Sequence, residues 1–234
     1  MMNITNSRRF AELRGQGRQK LVTSYWLLAM PSNAEIRGKP IIHRTHIIGI
    51  DEVGRGALAG PVVVAGIAST RPFRFNSSGL GKLRDSKKLT AGKREKWFRR
   101  FVSDPAIKFA VSRVTPRVID RINISRAADR AALRVIKRLG FDRRRVFAYL
   151  DGGLFLPPEI PHQTIIKGDE KIKLIAAASI VAKVTRDRYM RRLHKKEPRY
   201  DFHIHKGYGT KLHISHIKQL GYSDFHRKSF KIKS

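Results

Sequence analysis

Two neighbouring carboxylates, Asp51 and Glu52, are followed almost at once by a glycine-arginine-glycine turn, Gly54-Arg55-Gly56. Adjacent acids closing an apolar run are poorly explained by packing, because desolvating unpaired charge is costly. A bound cation would neutralise them. Glycines let a backbone come close to a ligand, and successive N–H groups in such a turn can bind an anion. Carboxylates for a metal beside a turn for phosphate suit phosphodiester chemistry. A hairpin with two solvated acids would give the same local pattern, so this stretch alone leaves both readings open. Two further acids repeat the arrangement. Asp151 follows an apolar run and precedes Gly152, and Asp169 follows Gly168 behind a shorter apolar run. Carboxyl ends of strands in open sheets are where sites are built. If the strands carrying Asp51 and Asp151 are neighbours, these carboxylates converge, and like charges that close repel unless cations fill the gap. Four oxygen ligands favour Mg²⁺ or Mn²⁺ over Zn²⁺. Two such ions ~4 Å apart can clamp the attacking and leaving oxygens of a phosphodiester.

The elements that must position these acids are readable from pattern. Ile47, Ile48 and Ile50 suit a buried strand, and the run from Val62 to Ala68 suits its partner. Residues 71–90 read as a surface loop rich in Gly, Ser and Asn, in which Lys87 is a candidate phosphate contact or a solvated charge. Thr90 can cap a helix over 91–101 with Trp97, Phe98 and Phe101 inward. A third strand is expected over 106–114, and Pro116 suits the first turn of a short helix. A long helix over 126–139 has Ala128, Ala131, Ala132, Val135 and Leu139 on its packed stripe and Gly140 at its end. A fourth strand over 145–150 and a short fifth over 164–166 follow, then a helix over 171–193. Its run Ala176-Ala177-Ala178-Ser179 would let it press close to a sheet. The tail carries one more helix, 211–220. This order suits a mixed α/β sheet with an antiparallel opening and later crossover helices.

Lys and Arg total 50 against 18 acids, a formal charge of +32 over 234 residues. Such an excess favours polyanionic partners, nucleic acid before a membrane surface, because the charge is spread along the chain. It says nothing of catalysis, since a ribosomal-type binding protein would be equally basic. With no cysteine, disulfides and thiolate metal sites are excluded. No stretch approaches the ~20 apolar residues of a membrane span. Residues 1–45 are polar and basic around a short apolar island, Trp26 to Met30, and read as a disordered arm; Met30 is an alternative start.

In this order of motifs the chain resembles the ribonuclease HII family, the type 2 ribonucleases H, over roughly residues 47–230. The pieces that carry the likeness are GIDEVGRGALAGPV, DSKKL, INI, LDG, KGD, AAASIVAKVTRD, HKGY and HRKSF, weak singly and specific together. The resemblance implies a ribonuclease H-like mixed five-stranded sheet flanked by helices. It divides the chain into the arm (1–45), a catalytic domain (46–197) and a C-terminal helical segment packed on it (198–234). It implies a metal-dependent endoribonuclease that cuts the RNA strand of RNA–DNA hybrids and nicks 5′ of single ribonucleotides in duplex DNA, leaving 5′-phosphate and 3′-hydroxyl ends. Such an enzyme uses Mn²⁺ or Mg²⁺, two ions during catalysis, and acts as a cytoplasmic monomer in ribonucleotide removal.

Carried over by motif, Asp51, Glu52, Asp151 and Asp169 are the metal ligands and catalytic acids. Gly54, Arg55 and Gly56 match the turn that senses the ribose 2′-hydroxyl, the one group separating RNA from DNA at a given sugar. Tyr208 matches the tyrosine that stacks on the neighbouring deoxyribose, and Asn123, Lys87, Lys183 and Arg186 are expected as contacts to the nucleic-acid backbone. Without the resemblance Tyr208 reads as a surface aromatic. His205, His213 and His216 read as surface histidines, and Asp187 as an ion-pair partner. The arm is longer than the family core needs yet too short and polar for the N-terminal domain of ribonuclease HIII. A non-catalytic basic binding protein and a DNA resolvase of the same superfamily are the rival readings. An acidic pocket argues against the first, and cutting of all-DNA junctions would mark the second.

Overall fold

β-Branched residues fit a pleated, buried surface, and the isoleucine and valine runs form the centre of the sheet. In chain order the main elements are β1 (His46–Val53), β2 (Val62–Ser69), α1 (Ala91–Ser103), β3 (Ile107–Val114), α2 (Pro116–Ile122), α3 (Ile124–Leu139) and β4 (Val146–Asp151). They are followed by β5 (His162–Ile165), α4 (Gly168–Lys171), α5 (Lys173–Lys196), a 3₁₀ turn (Pro198–Tyr200), α6 (Phe202–His205) and α7 (Lys211–Leu220). The computed structural model describes residues 35–36, 39–40, 46–70, 75–77, 80–83, 88–142 and 145–232. The arm expected over 1–45 therefore lies outside the described residues, apart from the small pair Glu35–Ile36 and Lys39–Pro40, and Lys87 lies outside them too.

The sheet runs β3-β2-β1-β4-β5. β1, β2 and β3 pair antiparallel, whereas β4 and β5 add in parallel on the other side of β1. This is the mixed sheet with an antiparallel opening that the pattern implied. Ile48, Ile50, Val62 and Val64 pack on one face beneath α3, whose Ala128, Ala131, Ala132 and Val135 are all buried. Ile47, Ala65 and Ile67 pack on the other face with Trp97 and Phe101 of α1 and the Ala176-Ala177-Ala178 run of α5. The first turn of α5, at Leu174 and Ile175, touches the sheet closely because Gly49 offers no side chain. A β-carbon there would lie 2.3 Å from the Leu174 carbonyl carbon.

Two expectations shift. The helix foreseen over 171–193 is two pieces, because Ile172 is extended (φ −116°, ψ 115°) and its N–H closes the α4 turn on Gly168 O at 2.7 Å. The fifth strand starts earlier, at His162, where parallel pairing with Ala148 begins. The C-terminal segment packs on the body through Ala59, Met190, Leu193, Tyr200 and Phe202.

Candidate active site

The register of the parallel pair decides the geometry of the acids. Ile50 lies opposite Leu150, so the next residues, Asp51 and Asp151, stand side by side on strands ~4.8 Å apart. Asp51 is buried, its Oδ1 accepting the Glu52 N–H at 2.7 Å, and Ser179 of α5 hydrogen-bonds its side chain. Asp151 Oδ1 accepts the Gly168 N–H at 2.6 Å, which ties the start of α4 to the end of β4. Asp169 follows directly and is also buried. Desolvation first, then the Asp151 charge, hold the Asp51 carboxyl well above the usual range. Glu52 is raised by burial first, with Arg55 opposing and Asp151 adding to the rise. Glu52 Oε2 is buried with no hydrogen-bond partner.

Carboxylates in this state are costly alone and favourable around a cation. An all-oxygen donor set with an orphaned anionic oxygen fits Mg²⁺ or Mn²⁺. No three of the four acids bring an oxygen each within 4.8 Å of one another.

The glycine turn is held the opposite way. Gly54 sits at φ +88°, and a β-carbon on it would lie 2.1 Å from Arg186 Nε. Two buried guanidiniums grip the backbone around it. Arg186 donates to Pro61 O (3.0 Å), Lys206 O (2.8 Å) and Ala59 O (3.1 Å). Arg227 donates to Gly60 O (3.0 Å), Arg55 O (2.8 Å) and Gly54 O (2.6 Å). With these carbonyls fixed, exposed Gly56 is left at the surface with open space on its Cβ side. The Arg55 side chain reaches Glu52 Oε1 (3.3 Å), Gly153 O (3.3 Å) and Ser125 Oγ (2.8 Å), stitching the turn to the acids and to the start of α3.

Tyr208 is zipped to the same turn. It bridges Ala57, and Gly207 O accepts the N–H groups of Leu58 (2.8 Å) and Ala59 (3.1 Å). Its ring faces Arg186 at 5.1 Å and Lys183 at 5.8 Å. Behind it His213 Nδ1 meets Tyr208 O at 2.9 Å, and His213 Nε2 meets His226 Nε2 at 3.0 Å.

A family model described as Ribonuclease HII matches residues 48–233. The chain belongs to the ribonuclease HII family. The ribonuclease HII of Bacillus mycoides (strain KBAB4) is 46% identical over 196 residues, covering 84% of this chain and 72% of that protein. That of Bacillus cereus (strain B4264) is 47% identical over 186 residues, covering 80% and 69%. Among solved structures, a chain of the PCNA:RNase HII complex from Archaeoglobus fulgidus superposes with a TM-score of 0.66 at 28% identity, over 80% of this chain and 96% of that one. Bst-RNase HIII in complex with Mn²⁺ shares the fold with a TM-score of 0.62 at 18% identity, over 80% and 68%. This protein is thus a metal-dependent ribonuclease, a hydrolase with the ribonuclease H-like fold.

Against that identity, the residues read from sequence sort unevenly. Asp51, Glu52 and Asp151 feel one another's charge, and Asp169 joins through Gly168. Gly54, Arg55, Gly56 and Tyr208 form one joined surface. Arg186, expected as a contact to the nucleic-acid backbone, is fully buried and spends its guanidinium on three carbonyls, so what it holds here is the turn. Asn123 (φ 64°) caps α3, its Oδ1 accepting the Arg126 N–H at 3.0 Å, and Lys183 pairs with Asp187 at 2.9 Å, the ion pair expected of Asp187. His205 and His213 are buried and not at the surface. Burial first lowers His213 to about 3. Arg227, Ser179 and Ser125 were missed. Arg227 stood in the HRKSF piece, but nothing in a sequence says which carbonyls a buried arginine will find.

Proposed function

We propose that this ribonuclease HII cuts the RNA strand of RNA–DNA hybrids and nicks duplex DNA on the 5′ side of a single embedded ribonucleotide. The observation that carries the reading is the contact between two unlike surfaces: a pocket of buried acids, and a rigid glycine turn joined to it by Arg55. The turn presents backbone at Gly54-Arg55-Gly56 to the ribose 2′-hydroxyl, which a fixed backbone group can read without side-chain flexibility. Tyr208 stacks on the sugar that follows, and Lys183, which lies over its ring at 5.8 Å, contacts phosphate. Asn123, beside Ser125 at the start of α3, remains a contact to the nucleic-acid backbone in this reading. Asp51, Glu52, Asp151 and Asp169 hold the scissile phosphate's surroundings anionic and so demand cations. Mn²⁺ or Mg²⁺, two ions in the active complex, would supply Lewis acidity toward the attacking water and the departing oxygen. Hydrolysis forms one P–O bond from water and breaks the bond to the 3′-oxygen, which leaves as a hydroxyl, so the downstream strand keeps a 5′-phosphate. The proton lost by water passes to solvent, and no side chain is assigned as its obligatory acceptor.

Every group this reading uses comes from one chain, so a monomer suffices, and residues 198–234 work as part of the site through Tyr208 and Arg227. No helix among the described residues is long and apolar enough to cross a membrane. The site is suited to starting ribonucleotide removal from cytoplasmic DNA. The test is a duplex with one ribonucleotide, incubated with and without Mg²⁺ or Mn²⁺, beside an all-DNA duplex and a four-way DNA junction. A single nick 5′ of the ribonucleotide, metal-dependent and absent from Asp51→Asn, is expected. Cutting of the all-DNA substrates, or an active Asp51→Asn, would overturn the proposal.

A further inference from the structure

Apart from the acid pocket, one group of metal-capable side chains draws together among the described residues: His194, Asp201 and His203 hold a ligand atom each within 4.8 Å of one another. His194 lies in the last turn of α5, Asp201 just before α6 and His203 within it. Asp201 Oδ1 is 3.7 Å from His203 Nδ1, and its other oxygen, Oδ2, is 3.8 Å from His216 Nε2 of α7. The His194 and His203 rings lie 3.8 Å apart, centre to centre. These separations are too long for hydrogen bonds, so His203 and His216 stand at ion-pair distance from the two oxygens of one carboxylate without hydrogen-bonding it. The Nδ1 atoms of His194 and His216 are buried without a hydrogen-bond partner, an arrangement proteins normally avoid.

We propose that His194, Asp201 and His203 bind a zinc-class divalent cation, with the fourth position taken by water or by His216, which lies beside the other Asp201 oxygen. Imidazole nitrogen with one carboxylate oxygen is a donor set for Zn²⁺, Ni²⁺ or Co²⁺, whereas Mg²⁺ takes oxygen. The C-terminal end of the 24-residue α5 adds the negative pole of its dipole. Lys195 and Lys196 on the same turn oppose any cation, and their exposure to solvent screens that repulsion. The position is distinct from the acid pocket. Ser179, which contacts Asp51, precedes His194 by about four turns of one helix, roughly 22 Å at 1.5 Å per residue. An ion here would staple the end of α5 to α6 and α7, the segment that presents Tyr208.

The test uses the untagged full chain carrying Asp51→Asn and Asp151→Asn, titrated with Zn²⁺ by calorimetry and with Co²⁺ by visible absorption, in excess Mg²⁺. One Zn²⁺ per chain is expected, with the intense Co²⁺ absorption of a four-coordinate site. His203→Ala, on an exposed side chain, and Asp201→Asn should each weaken binding by about tenfold or more with the circular dichroism spectrum unchanged. Zn²⁺ should raise the melting temperature of the parent and not of His203→Ala. Absence of a Co²⁺ band, or Zn²⁺ affinity untouched by both substitutions, would show a cluster of surface ion pairs only. Binding by the wild-type chain that disappears in the Asp51→Asn, Asp151→Asn parent would place the ion in the acid pocket, and would equally overturn the proposal while leaving the nuclease reading intact.

Discussion

The acid pocket and the glycine turn touch through Arg55, yet they are built on opposite electrostatic terms. In the pocket, carboxylates are buried beside one another and Glu52 keeps a buried oxygen without a partner. In and around the turn, six backbone carbonyls, from Gly54 and Arg55 to Pro61 and Lys206, each receive a guanidinium N–H from Arg186 or Arg227. One region is left wanting a cation, and the other is satisfied to the point of rigidity. The difference separates chemistry from recognition. A pocket that must bind and release cations keeps its charge unsatisfied, whereas a surface that must tell a 2′-hydroxyl from a hydrogen cannot move.

The largest effect that would sharpen this contrast is expected from Asp51→Asn or Asp151→Asn. Cleavage should fall by about a thousandfold or more, ~4 kcal/mol of barrier. In EDTA, however, Asp51→Asn should melt at a higher temperature than wild type, since it removes a desolvated charge. A lower melting temperature would erase the distinction between the regions. Arg227→Lys comes next. A point charge cannot serve three carbonyls as a planar fork does, and each buried group left unpaired costs about 1–3 kcal/mol. Urea unfolding should show a loss of ~3 kcal/mol, with cleavage at single ribonucleotides falling more than cleavage of long hybrids. An unchanged unfolding midpoint would mean that the turn is not held as described.

Stability against pH separates the regions more gently. The folded-state pKa values of Asp51 and Glu52 are raised, so the native state binds protons more tightly than the unfolded chain. Their contribution is complete below the ordinary carboxylate range and is lost as pH rises through the raised values. Metal-free protein should therefore lose stability across that window, and saturating Mg²⁺ should flatten the loss. Equal slopes with and without Mg²⁺ would contradict the assignment of the pocket. The smallest effect is expected from Tyr208→Phe, which keeps the ring and should change cleavage less than about twofold, whereas Tyr208→Ala removes the packing of the ring on the sugar and should lower cleavage further. Similar losses in both variants would point to the hydroxyl and away from stacking.

Much of the fold was legible because its signals are local. The Thr90 cap, the alanine stripe of α3 and the Gly140 stop each depend on neighbours within a turn or two, and each is in place. The pairing of Asp51 with Asp151 needed one further assumption, that their strands adjoin, and the parallel register supplies it. The buried polar groups were not legible. His205 and His213 look like surface residues by type, but His205 Nε2 meets Tyr200 O at 2.6 Å and His213 meets Tyr208 O, contacts that make burial tolerable. Arg186 looked like a phosphate contact because its charge shows in the sequence and its acceptors do not. The break at Ile172 was hidden for a related reason: the turn before it is anchored by Asp151, a residue on a distant strand.

By itself the sequence determined the strand and helix pattern, the oxygen-only donor set of a cysteine-free chain and the kind of chemistry four such acids can do, because these follow from residue type and short-range spacing. Tertiary structure alone decided which carboxylates lose their water together, which arginines turn inward to hold a backbone and which histidines gather around Asp201. Those outcomes depend on groups far apart in the chain, and desolvation and hydrogen-bond partners exist only once the chain has closed on itself.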